Sequence, residues 1–165
     1  MIGTIESANE IKGKEAPSRA RMLLRASDVI ASKVEGSLDK VALVSEEYHG
    51  AIGSTGFFVL RPRTVQSGYL LALVKSIIVR QQMRYEASGT ILAAVPARSL
   101  RNIIVPNIPP EKRHEIAQLV QQSHEVRRKA KALLEKAKRA VEIAIEEGED
   151  KGMEFIRSLQ KQEAT

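Results

Sequence analysis

Arginines and lysines set in turns are the residues whose chemistry stands out: Lys12, Lys14, Arg19, Arg21 and Arg25, then Lys33, then Arg61, Arg63, Arg80 and Arg84. Arginine suits both clamping of phosphate and two-pronged reading of guanine, so such a set favours a polyanionic partner. The bland alternative is a scattered soluble surface. Two other stretches invite a chemical reading and lose it. Gly50-Ala51-Ile52-Gly53-Ser54-Thr55-Gly56 looks like a phosphate loop, but it has no lysine and opens onto a strand, so it reads as a turn and strand entry. Asn107-Ile108-Pro109-Pro110 resembles the Asn/Asp-Pro-Pro-aromatic motif of amino-methyltransferases. Here Ile108 interrupts the motif and Glu111 replaces the aromatic, so a helix start is the better reading.

The histidines His49, His114 and His124 are scattered, and ten residues of one helix separate the last two, too far for a shared metal. Carboxylates gather on a long helix among Lys and Arg, as on a solvated face. No nucleophile, acid–base pair or cofactor loop assembles, so the chain is expected not to be an enzyme by itself and to need no cofactor or metal.

Composition sets the outer bounds. With 165 residues the chain can hold one domain and an extension. Apolar residues make up 43% but aromatics only 4%, so the core must come from Ile, Leu, Val and Ala. Without cysteine there is no disulfide framework or thiolate chemistry. A net charge of +6 favours nucleic acid over membrane. No charged-then-apolar leader or bilayer-length apolar run is seen, which points to the cytoplasm.

The elements that must position these residues begin with a loop-like stretch, 1–20. Met22-Leu23-Leu24, Val29-Ile30-Ala31, Lys40 to Val44, Phe57 to Leu60, Ile91 to Val95 and Ile103 to Val105 read as short strands, with Ala26-Ser27-Asp28 a turn. Gly68 to Arg84 carries helical spacing with a break near Ser76. The whole predicts an α+β domain over 1–106, a long helix over 107–148 and a frayed helical tail over 149–165.

The long helix organises the rest. Pro110 suits its first position, Glu111 complements its dipole, and no further Gly or Pro occurs until Gly148, the expected left-handed stop. Taking Ile116 as heptad position a, the later a residues are Ser123, Ala130, Ala137 and Ala144. The d residues are Leu119, Val126, Leu133 and Ala140. So long a stripe outruns what a small domain can cover, and small a residues favour a close antiparallel pair of helices. Leu119, Val126, Ala130, Leu133, Ala137 and Ala140 are therefore the expected pairing residues.

Several stretches resemble, in order, the specificity subunits of type I restriction-modification systems. Ser27-Asp28-Val29-Ile30-Ala31-Ser32 with Lys40-Val41-Ala42-Leu43-Val44 is similar to the family's GDVLxS and KVALV stretches. Gly56-Phe57-Phe58-Val59-Leu60-Arg61-Pro62, the Gly68-Tyr69-Leu70 helix through Ser76, Ala87-Ser88-Gly89-Thr90, and Ser99 to Pro106 with Pro109-Pro110 continue the likeness over about residues 20–147. The resemblance implies an N-terminally incomplete target-recognition domain with one spacer helix: a half-subunit, a fragment, or a partner for a second chain. It implies binding to half of a split double-stranded DNA site and docking of adenine methyltransferase subunits, with a restriction subunit as a further partner of the assembly. Self-association through the helix is implied too. So is a meeting of Arg19, Arg21, Lys33, Arg61, Arg63 and Arg84, which lie in or next to the expected loops, with DNA. The rival expectation is a structural dimerisation protein that binds no DNA.

Overall fold

Short runs of β-branched and aromatic residues, each closed by a turn, supply strands β1 (Ala20–Leu23), β2 (Val29–Ser32), β3 (Val41–Leu43), β4 (Ile52–Ser54) and β5 (Phe57–Leu60). This is seen in a computed structural model that describes residues 3–5, 7–89 and 93–163. β2 is the centre of a three-stranded antiparallel sheet in the order β3-β2-β5, while β1 and β4 form a separate antiparallel pair. Val29 lies between Leu43 and Leu60, and Ala31 between Val41 and Phe58. The phosphate-loop lookalike is thus a turn followed by β4, whose Gly53 packs against the Leu24 side chain.

Helices α1 (Ser67–Lys75) and α2 (Ile77–Glu86) follow the sheet. The expected break falls at Ser76, whose extended ψ of 149° stops α1 and whose hydroxyl accepts from the Val79 N–H to start α2. Leu71 and Val74 of α1 close over Val29, Ala31 and Val41. Val79 and Met83 of α2 close over Leu38, Phe58 and Val95. Alternate residues of the strands fill both clusters, since a strand points successive side chains to opposite faces.

One expected strand is corrected. Ile103–Val105 is extended but joins no strand ladder. Instead the Gln82 side-chain amide accepts from the Ile104 N–H and donates to the Ile104 carbonyl, both at 2.8 Å. A side chain here replaces the neighbouring strand, and periodicity cannot show that. Of the expected strand Ile91–Val95, residues 91 and 92 lie outside the described residues. Ala94 makes single bridges to Val34 and Ser88 rather than a ladder.

Pro110 opens the long helix α3 (Pro110–Glu147), as its fixed φ and missing N–H predict. The preceding linker is pinned by Arg113, whose Nε donates to the Ile108 carbonyl at 2.6 Å. Two compact units divide the chain, at Met1–Gln121 and Gln122–Thr165. In the first, Val120 packs against the cluster around Val29, and α3 approaches α1 so closely that a Cβ on Gly68 would sit 2.9 Å from the Ala117 carbonyl oxygen. In the second, Gly148 takes a φ of +104° and ends α3, and α4 (Glu149–Glu163) begins at once. α4 folds back on α3 at Gly152, where an added Cβ would meet the Ala144 Cβ at 2.8 Å. Ala140 is buried at this contact.

Candidate nucleic-acid interface

The six candidate cations divide between the two ends of β2. At its start lies the tight turn Ala26-Ser27-Asp28, held by Ser27 at a φ of +69°. Its carboxylate, Asp28, is 1% exposed and accepts three hydrogen bonds. Arg61 Nε and Nη2 each donate to it at 2.8 Å, and the Arg25 N–H donates at 2.9 Å. Burial pulls the Asp28 pKa upward most strongly, yet the hydrogen bonds and charges of Arg61 and Arg25 together outweigh it. The carboxyl therefore sits below its ordinary value. Arg61, just past the end of β5, has two of its donors committed to this pair while its side chain stays half exposed. Arg63, two residues on, is exposed in the loop that leads to α1.

At the far end of β2, Lys33 donates to the Thr55 carbonyl at 3.0 Å and stands 4.9 Å from the Phe58 ring centre. Thr55 is in the β4–β5 turn, and its N–H donates to the Arg19 carbonyl at 2.8 Å, so Arg19 and Lys33 share this turn. Arg21 is exposed on β1, with its Nε donating to the Ser18 carbonyl at 2.6 Å. Arg84 belongs to the same end of the sheet: it lines a cleft of about 240 Å³ between α2 and the Glu35–Asp39 turn that follows Lys33. Sequence reasoning named these cations but missed Asp28 as a partner for Arg61. The signal available was a lone acid in a turn that must be buried to start the central strand.

Other candidates resolve simply. His49 Nδ1 accepts from the Ala26 N–H at 3.3 Å and so braces the Asp28 turn. Among the described residues no group of three or more His, Asp or Glu is placed to hold a metal ion, and no helix is long and apolar enough to cross a membrane.

Along α3 the expected pairing residues Leu119, Val126 and Leu133 are 59%, 66% and 54% exposed in the single chain. Ala130 and Ala137 are exposed as well. Ala140 differs because α4 of the same chain covers it. The stripe therefore splits into a bare part before Ala140 and a part that the chain covers itself.

The fold is α+β: antiparallel sheets and short helices followed by one long helix. No family model and no curated protein matches the sequence. Solved structures do. The chain is similar to the HsdS subunit from Thermoanaerobacter tengcongensis, at 31% identity and a TM-score of 0.62 over 86% of this chain. It is equally similar, at 31% identity and a TM-score of 0.63, to a chain solved in work on complex assembly and conformational transition of the type I R-M system. Identity of this level, kept through most of the chain, bears out the resemblance to type I specificity subunits read from the sequence. It spans 37% of the length of each of those chains, matching a piece of such a subunit.

Proposed function

We propose that the chain is a DNA-recognition and scaffolding module of a type I restriction-modification system, without catalysis of its own, acting in the cytoplasm. In this reading the domain reads one half of a split site, and α3 pairs with a second long helix and docks methyltransferase subunits. The observation that carries it is the likeness to HsdS, at 31% identity over 86% of the chain. Two features support it: a net charge of +6, and an apolar stripe on α3 left bare from Leu119 to Leu133. The test is binding to duplex DNA across salt concentrations, with a type I methyltransferase subunit supplied. Binding that tightens with the methyltransferase and weakens steeply with salt is the expected result.

A second reading, a pairing protein that binds no DNA, draws on the internal commitments of Arg21, Lys33 and Arg61. It requires a stable dimer that is indifferent to DNA at every salt concentration.

A further inference from the structure

The cleft between α2 and the Glu35–Asp39 turn holds charges that the fold itself leaves unused. Arg80 and Arg84, four apart on α2, face it together with Gln81, and Glu35 and Asp39 line the opposite wall. Among the described residues none of these four charged side chains makes an ion pair or hydrogen bond within the chain. The Arg80 Nε is buried without an acceptor. A buried donor left unpaired is costly, and the accessible reach of Arg80 and Arg84 into the cleft lies with the exposed Arg84. Gly36 adds no side chain at the rim, and nothing would meet a Cβ there within 4 Å.

Two positive and two negative side chains around one cleft define what it can take. A phosphate offers acceptors alone, and Glu35 and Asp39 would repel it. A base-pair edge offers both kinds of group. In the major groove a G·C pair presents the guanine O6 and N7 acceptors and the cytosine N4 amino donor side by side. Arginine is the side chain best shaped for the first and a carboxylate for the second. We infer that Arg84 and Arg80 read the guanine of a G·C pair, with Glu35 or Asp39 accepting from the paired cytosine, making this cleft a specificity-determining site and not a phosphate clamp.

The inference rests on the DNA-reading function proposed above, and the experiment separates the two. The full chain selects duplexes from a randomised pool, and the enriched sites are compared for the unmodified protein, Arg84→Gln, Arg84→Lys, Arg80→Gln and Glu35→Gln. Arg84 is exposed, so its variants should fold even if Arg80→Gln, at a half-buried position, does not. The expected result is one G·C position that Arg84→Gln leaves undefined and Arg84→Lys, which still donates to guanine, retains in part, while the other positions persist. Affinity for the original site should fall roughly tenfold with the salt dependence unchanged. The assignment is overturned if all sites weaken alike and the salt slope drops by about one, as for a phosphate contact. It is equally overturned if Arg84→Gln selects the same sites as the parent. An unmodified chain that enriches no sequence fails at the earlier step and removes the DNA-reading function along with this site.

Discussion

Asp28 shows how one buried charge can fix a corner of the sheet. It is 1% exposed, and its oxygens are held by the Arg61 fork and the Arg25 N–H. Removing it with Asp28→Ala strips partners from both and should destabilise the domain by on the order of 3 kcal/mol, measured by urea unfolding. The sign with pH follows from its lowered pKa. The folded state binds the Asp28 proton less readily than the unfolded chain does. Its stabilisation is therefore complete above the ordinary value of 3.8 and is lost as pH falls through that value toward the folded one. Unfolding followed from about pH 6 down to about pH 2 should show this loss in the parent and not in Asp28→Asn; equal acid sensitivity in both would count against it. For Arg61 the pairing has a consequence in function. If its fork is needed to hold Asp28, Arg61→Gln should lower stability and DNA affinity together, whereas Arg63→Gln should change binding alone.

At the scale of elements, close approach decides where helices meet. In an open helix, Gly→Ala stabilises by up to about 1 kcal/mol. At Gly68 the new methyl group would lie 2.9 Å from the Ala117 carbonyl oxygen and 3.2 Å from its Cα, both backbone atoms. Gly68→Ala should therefore destabilise by about 1–3 kcal/mol, as overpacking does, and a rise in melting temperature would contradict the contact. The same elements show how much a sequence discloses. The Ser76 break, the Pro110 start and the Gly148 stop were legible because each follows from local backbone chemistry. The strand expected at Ile103–Val105 failed because its partner is the Gln82 amide, a contact set by tertiary structure. The Gly68–Ala117 approach was hidden for the same reason. Of the candidate site, the exposed arginines were legible from type and setting. That Arg61 is tied to Asp28, 33 residues away, was not.

For the whole molecule, the stripe on α3 carries a consequence for assembly. Leu119, Val126 and Leu133 are each more than half exposed, and Ala130 and Ala137 are exposed beside them. In the assembly proposed above this face is buried against a second long helix, taken as another copy run antiparallel. Charge placed in that seam would be desolvated without a partner, so Ala130→Glu with Ala137→Glu should turn dimers into monomers. Light scattering on the parent and the double variant checks this, and a monomeric parent would sink it. The pure protein is also expected to transfer no methyl group from labelled S-adenosylmethionine to DNA.

The division of labour between loops and helix can be tested in the same assembly. Arg19, Lys33 and Arg84 gather at one end of β2, and Arg63 lies exposed near the other, whereas Lys129, Lys131, Lys136 and Lys138 belong to α3. Lys138 already pairs with Glu135 at 2.9 Å on an exposed helix face, where such pairs contribute little. If DNA meets the loops, neutralising a loop cation that touches phosphate should weaken every sequence and lower the salt slope by about one for each phosphate no longer neutralised. Neutralising one that reads a base should instead cost about 1–3 kcal/mol on the selected site only. The same change in the α3 lysines should leave DNA binding nearly untouched and show itself in weaker association with the methyltransferase subunit. The measurement is a salt titration of binding for each variant, with that subunit present in excess so that a weak half-site remains detectable. Helix lysines that control the slope while loop cations do not would move the DNA face from the domain to α3.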